Sequence, residues 1–395
     1  MKSLSKKNSG ISASMTLAIT AKAKQLKESG VDIVSFGAGE PDFNTPEYIR
    51  TAAIKQIEKG GNGYTAASGL LELKKAICDK LKRDNELDYN PEQIVVSSGA
   101  KHSLFNALQT LLNPGDEVII PSPYWVSYYE LVKMADGEPV LVEAEASNLF
   151  KVTVDQLEKA VTKKTKAIII NSPNNPTGAV YSKEELVEIG VFAEQNDLYI
   201  ISDEIYEKLI YGKRHYSIAA LSESFKERTI VVNGLSKAYA MTGWRIGYTA
   251  STVEIAKIMS NIQSHATSNP NTIAQYASIE ALNGNQEPIE VMRKAFDERR
   301  QFMVKTISAI QNVTCVEPEG AFYVMVNMAY FIGKKIKGID IKNSIDLASV
   351  LLDDANIAVI PGIAFGVDDY IRLSYATSMV NIEEGLKRLK VFCEQ

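Results

Sequence analysis

Short apolar runs alternate along this chain with amphipathic stretches of helical length, a rhythm that predicts strand-helix-strand units around a mostly parallel sheet. The stretch "EQIVVSSGA" reads as a strand and turn, and "KHSLFNALQTLL" follows with Leu104, Leu108, Leu111 and Leu112 on one helical face. "PGDEVIIPSP" gives a turn and a strand. "TKAIIINSPNNPTG" reads as a buried strand running into a loop rich in Asn and Pro, after which Ser182 and Glu185 form the capping box of a helix. "DLYIISDEIY" is a further buried strand ending in acid, and "TIVVNGLSK" is the next.

Beyond about residue 290 the rhythm changes. A long charged helix around "VMRKAFDERRQFMVKTISAI" leads into "GAFYVMVNM" and "IAVIPGIAF", which alternate like a smaller α+β layer. The expected division is a large domain over residues 47–290 and a small C-terminal domain over 291–395. Residues 1–46 form an N-terminal arm that joins the small domain, since a piece of that size cannot bury a core alone.

Composition narrows the class. With 45% apolar and 23% charged residues among 395, the chain reads as ordinary globular protein, neither disordered nor fibrous. The net charge of -5 is modest and carries no basic block, so nothing points to nucleic acid or an anionic membrane surface. No apolar run approaches the ~18 residues of a membrane span, and "MKSLSKKNSG" lacks the apolar core of a secretory signal. The expected location is cytoplasmic. Cys78, Cys315 and Cys393 are scattered and odd in number, which fits reduced thiols; His102, His215 and His265 form no metal-binding pattern.

In open α/β sheets, ligands sit beyond the carboxyl ends of the strands, so the residues after each apolar run are the candidates. "SSGAK" brings small residues to a helix start that either receives a phosphate or is an ordinary strand-to-helix turn. Asp203 either pairs with a ring nitrogen or caps a helix. Tyr206 either donates to a ring hydroxyl or fills core, and Trp125 either stacks on a ring or packs. In "NGLSKAYAMTGWRIGY", Lys237 and Arg245 are either a solvated pair or a nucleophilic lysine beside an anion anchor. Together these residues fit a phosphorylated, ring-shaped cofactor with a carbonyl group.

Six segments carry a resemblance: "GAGEPDFNTP", "SPYWVSY", "SPNNPTG", "SDEIYE", "NGLSKAYAMTGWRIGY" and "IRLSYATS". In order and over essentially the whole chain, they resemble the pyridoxal-phosphate-dependent class I aminotransferases of fold type I. The bacterial and archaeal type of aspartate aminotransferase is the nearest group. The resemblance implies pyridoxal 5'-phosphate held covalently on Lys237, which also carries the proton at the substrate Cα. It implies that Asp203 partners the pyridine nitrogen, Tyr206 and Asn175 the ring oxygen, and Trp125 the ring face. Gly99, Ala100, Ser236 and Arg245 match the phosphate cup. Tyr64, in "NGYTAASGLLEL", matches a tyrosine that reaches the phosphate from a neighbouring subunit, so a homodimer with shared active sites is implied. Arg372 matches the grip on the substrate α-carboxylate, a task suited to a planar fork, with Gly39 and Asn175 beside it.

Lys101 stands where this group places a cation for a distal carboxylate, which favours the dicarboxylates aspartate and glutamate over a solvated lysine. The implied reaction is reversible ping-pong transfer from L-aspartate to 2-oxoglutarate, giving oxaloacetate and L-glutamate, with the small domain closing over the diacid. Relatives that aminate prephenate carry a basic residue where this chain has Ser12, and Lys6 or Lys7 substitutes only if the arm folds differently. The alternatives on the same fold are aminotransferases of aromatic, alanine or prephenate/arogenate specificity, or a lyase or synthase. Transcriptional regulators with aminotransferase-like domains carry an N-terminal DNA-binding module, and here the matching motifs begin by Gly37.

Overall fold

The computed structural model describes residues 3–5 and 9–394. Seven strands form one sheet in the spatial order Ile94–Ser97, Gly247–Ala250, Thr229–Gly234, Tyr199–Asp203, Thr165–Asn171, Glu117–Ser122, Glu138–Glu143. Gly247–Ala250 runs antiparallel to both neighbours and the other pairings are parallel. Ala167, Ile168, Ile169 and Ile170 are all buried, because helices cover both faces of a parallel sheet.

The amphipathic stretches form as the pattern predicts. Ser182 accepts the Glu185 N–H at 3.2 Å while Glu185 accepts the Ser182 N–H at 2.7 Å, closing the capping box of helix Lys183–Gln195. In helix Ala100–Leu111, Leu104, Leu108 and Leu111 are buried, each contributing ~1.5–3 kcal/mol of transfer free energy. Leu112 departs from the expected face. It is the extended residue that ends the helix, and Pro114 disfavours a helical Asn113.

A second layer contains an antiparallel sheet in which Tyr323–Asn327 lies between Thr314–Cys315 and Tyr370–Ser374, with Ile360–Pro361 at the far edge. Val34–Ser35 pairs in parallel with Ile357–Ala358, which ties the N-terminal segment to this layer. Helix Glu287–Ile307 crosses residue 290 without a break. Its Ile289 packs in the core beneath the large sheet, whereas Met292, Phe296, Met303 and Ile307 pack with Tyr323 and Leu373. Among the described residues, no helix is long and apolar enough to cross a membrane.

Candidate active site

The carboxyl ends of five strands of the large sheet meet the second layer at a cleft with a cavity of about 460 Å³. Of the residues anticipated from the sequence, Gly39, Ala100, Lys101, Trp125, Asn175, Asp203, Tyr206, Ser236, Lys237, Arg245 and Arg372 all line it. Gly99 lies directly behind the wall. Tyr64 is not brought into the cleft: it stands 93% exposed in the loop before helix Leu71–Asn85. Ser12 is exposed, and Lys6 and Lys7 lie outside the described residues.

Lys237 follows strand Thr229–Gly234 and is half-buried, with Nζ donating to the Gly39 carbonyl. Desolvation pulls its pKa down to about 8; the charge of Glu40 opposes this, while Arg372 and Arg245 add to it. The ammonium therefore loses its proton around pH 8, well below the range of an ordinary lysine. Asp203 ends its strand with the side chain buried, and burial pushes its carboxyl up to about 6 against a hydrogen bond from Tyr128 and one from the Ile205 N–H. Tyr206, on the following turn, is buried with its hydroxyl 3.0 Å from that of Tyr323.

Arg372 lies on strand Tyr370–Ser374, opposite Met325 and Ile360. Its Nη1 donates to Asn175 Oδ1 at 3.0 Å and its Nη2 to the Gly37 carbonyl at 3.2 Å, while buried Nε has no protein partner. The guanidinium carbon sits 4.3 Å from the Tyr323 ring centroid and 5.0 Å from that of Phe365. An arginine held this way keeps hydrogen-bonding capacity in a desolvated wall, which suits a carboxylate.

At the other end, Arg245 adopts a left-handed backbone, φ 59°, after the single turn Thr242–Trp244, so it is on no helix face. Its Nη1 donates to the Thr242 carbonyl at 2.8 Å and its Nη2 to that of Ser98 at 3.4 Å. Gly99, φ 88°, opens helix Ala100–Leu111, and a Cβ there would lie 2.4 Å from Arg245 Nη2. Gly247 is equally constrained, because its Cβ would lie 2.2 Å from the Ala100 nitrogen. Two bare glycines thus let a guanidinium and the unpaired amides of a helix start converge, the geometry that holds a phosphate. Lys101 Nζ lies 5.0 Å from the Trp125 ring centroid. Although Lys101 as a residue is exposed, desolvation, then Arg245, lowers its pKa.

Several cleft residues escaped the sequence reading. Tyr128 donates to Asp203, and Tyr323 backs both Tyr206 and Arg372; Asn171, expected here from its place at a strand end, donates through Nδ2 to the Asp203 carbonyl at 2.9 Å. Ser14, Thr16, Leu17 and Thr20, at the start of helix Met15–Glu28, close one side. Tyr128 falls within the quoted "SPYWVSY", one helical turn beyond Trp125, and that spacing was the available signal.

The sheet, the lysine beyond its strand end, the buried acid and the two arginines define a class of enzyme. The aminotransferase class I and II family matches residues 31–389, and the chain belongs to that family. Its relatives narrow the comparison. The aspartate aminotransferase of Bacillus subtilis is 49% identical over 393 residues, covering 99% of each chain. The aspartate/prephenate aminotransferase of Nitrosomonas europaea is 47% identical, covering 98% of each. The solved aspartate aminotransferase of Rhizobium meliloti superposes with a TM-score of 0.96 at 43% identity, covering 100% of this chain and 99% of that one. The protein is accordingly a transaminase, and its family implies pyridoxal phosphate.

Proposed function

We propose that the protein is an aspartate aminotransferase, cycling between L-aspartate with 2-oxoglutarate and oxaloacetate with L-glutamate. One observation carries the reading: a lysine with its pKa lowered to about 8 shares a single cleft with a buried acid and two arginines at opposite ends. The residues present fit pyridoxal 5'-phosphate. Gly99 leaves room for Arg245 and open amides at the phosphate end, and Asp203 offers a carboxylate whose hydrogen-bonding partners are neutral.

When bound, the cofactor supplies an aldehyde for covalent capture of the substrate amine and a ring that spreads the negative charge left at Cα. Lys237 holds the cofactor covalently and then moves the proton at Cα, a role that requires its neutral form. Asp203 accepts from the protonated ring nitrogen, Tyr206 and Asn175 bind the ring oxygen, and Trp125 covers the ring face. Ala100, Ser236 and Arg245 bind the phosphate. Arg372 grips the α-carboxylate, with Gly39 and Asn175 beside it, and Lys101 takes the distal one. Fixing both carboxylates orients the Cα–H bond, so binding energy becomes orientation.

Large and small domains, 47–290 and 1–46 with 291–395, move together over the diacid in this reading. Helix Glu287–Ile307 supports a boundary near residue 290, since Ile289 packs in one core and Met292, Phe296, Met303 and Ile307 in another, which also takes in Ile205, Tyr206, Leu209 and Tyr211 from the large domain's side of the cleft. Exposed Tyr64 supports a homodimer in which it completes the phosphate site of the partner. Cytoplasmic location belongs to the same proposal. The name of the Nitrosomonas relative keeps prephenate as the alternative acceptor, against which exposed, uncharged Ser12 argues.

The test is a half-reaction panel. Cofactor-loaded protein is mixed with single amino acids, and the change of cofactor absorbance from aldehyde to amine form is followed, with Lys237→Ala as the blank. Aspartate and glutamate convert at least about tenfold faster than alanine, phenylalanine or arogenate, and Lys101→Ala erases that preference. Faster conversion of a neutral amino acid would refute the dicarboxylate assignment.

A further inference from the structure

One buried polar side chain in the cleft has no part in the roles above. Tyr128, in the first turn of helix Ser127–Met134, donates its hydroxyl proton to Asp203 Oδ2 at 2.6 Å, with its ring edge-on to Trp125 at 5.3 Å. Oδ1 of the same carboxylate accepts the Ile205 N–H at 3.2 Å. The Asp203 backbone is held separately, its carbonyl accepting from Asn171 Nδ2 at 2.9 Å and from the Ser172 N–H at 3.2 Å. Tyr128 therefore acts on the carboxyl group and not on the position of the chain.

We infer that Tyr128 is a positioning residue that keeps Asp203 a hydrogen-bond acceptor toward the cofactor's ring nitrogen, an inference that rests on the function proposed above. Each Asp203 oxygen already receives one donor, so a proton added to Oδ2 would face the Tyr128 O–H, and each oxygen keeps a further lone pair on a residue that lines the cavity. A hydroxyl is neutral, so it fixes the carboxylate without neutralising it, and the charge stays available to a protonated ring nitrogen. Without the Tyr128 hydroxyl, Oδ2 becomes free to carry a proton, and a carboxylic acid there offers a donor where an acceptor is needed.

The surroundings make this proton a close contest. Tyr128 and Tyr206 face Asp203 from two elements, Lys237 from the loop after the neighbouring strand, and Glu204 from its own turn. Burial favours the acid and Glu204 adds to that, whereas Tyr128, the Ile205 N–H and Lys237 favour the carboxylate. The Tyr128 hydroxyl itself stays protonated, because burial and the Asp203 charge raise its pKa well above the ordinary value.

Tyr128→Phe removes one oxygen atom and keeps the ring against Trp125. The dissociation constant of pyridoxal phosphate from the apoprotein is measured by fluorescence from about pH 5.5 to about 8.5, for wild type, Tyr128→Phe, Asp203→Asn and the double variant. Tyr128→Phe weakens binding about tenfold or more at neutral pH, the size expected for one hydrogen bond to a charged group. That loss narrows toward pH 8.5, where Asp203 is ionised with or without Tyr128. In the Asp203→Asn background, Tyr128→Phe adds less than about twofold, because its target is gone. A pH-independent loss, or one that persists in full in the Asp203→Asn background, would make Tyr128 a packing residue and overturn the inference while leaving the proposed function intact. If Asp203→Asn alone binds the cofactor like wild type, the role of Asp203 falls, and the inference falls with it.

Discussion

The turn that presents Asp203 and Tyr206 is anchored from behind by a buried ion pair whose removal has a calculable cost. Glu207 directly follows Tyr206, and its Oε1 contacts Lys80 Nζ of helix Leu71–Asn85. Asn85 completes the group, donating through Nδ2 to Glu207 Oε2 at 2.6 Å and accepting from Lys80 Nζ at 2.7 Å. Lys80 is 3% exposed and Glu207 8%. Burial alone would raise the Glu207 carboxyl, but Lys80, then His215, Lys208 and Asn85, hold it down at about 2, from an ordinary 4.5. That shift corresponds to about 3 kcal/mol. A folded-state pKa below the unfolded one stabilises above the unfolded value, near pH 4.5, and the contribution is lost as pH falls toward 2.

Lys80→Met leaves the Glu207 carboxylate buried with Asn85 as its neutral partner, which costs about 3–5 kcal/mol at pH 7. For a chain of this length the unfolding entropy is about 0.8 kcal/mol/K, so the melting temperature falls by roughly 4–6 °C. The deficit shrinks as pH falls toward 5, because the stranded carboxylate can take up a proton and wild-type Glu207 does not. Lys80→Met/Glu207→Gln removes both charges and recovers to within about 1–2 kcal/mol of wild type. Calorimetry of the four apoproteins across pH measures this cycle. A loss below about 1 kcal/mol for Lys80→Met, or a double variant costing the sum of the singles, would refute the argument.

Two further outcomes follow from the phosphate end and from the lysine. Gly99→Ala puts a Cβ 2.4 Å from Arg245 Nη2 at a residue with φ 88°, so Arg245 must withdraw; apoprotein affinity for pyridoxal phosphate falls at least about tenfold, and an unchanged dissociation constant would show that Arg245 does not meet the phosphate. Because desolvation lowers Lys237 to about 8, the neutral amine grows as pH rises through that value; the rate of covalent cofactor capture by apoprotein climbs between about pH 6.5 and 9 and levels off, whereas an ordinary lysine would still be climbing toward pH 10.

The parts of this molecule that were legible in the sequence are those set by local pattern. Ile168–Ile170 announced a strand buried on both faces, Ser182 and Glu185 announced a helix start, and strand ends located Asp203, Ser236 and Lys237 at the cleft. What stayed hidden depends on partners distant along the chain. Tyr128 meets Asp203 across 75 positions and Lys80 meets Glu207 across 127; the turn spacing from Trp125 brings Tyr128 to the cleft but names no partner for it, and Lys80 has no such signal. Leu112 was misplaced on a helical face because the apolar pattern continued past the residue where Pro114 ends the helix. Tyr64 stands exposed and outside the cleft of its own chain, so no contact within the chain assigns its role.

Charge bookkeeping in the cleft bears on the substrate more directly than any single residue. Lys101, Lys237, Arg245 and Arg372 line it against Glu40 and Asp203, an excess of two positive charges in a protein whose net charge is -5. Thr242 donates to Glu40 at 2.6 Å and Glu40 favours the charged form of Lys237, so the acid on that side is already engaged. Under the proposed function a phosphate meets Arg245 and an α-carboxylate meets Arg372, so each of these cations has its own anionic partner, whereas Lys101, beside Trp125, has none in contact. Closing the cleft over a neutral side chain would strip water from that ammonium and return nothing, whereas a distal carboxylate would meet it. The diacid preference proposed above would then come as much from the penalty on wrong substrates as from attraction to the right one, which is how a site with one lysine can discriminate without a dedicated pocket.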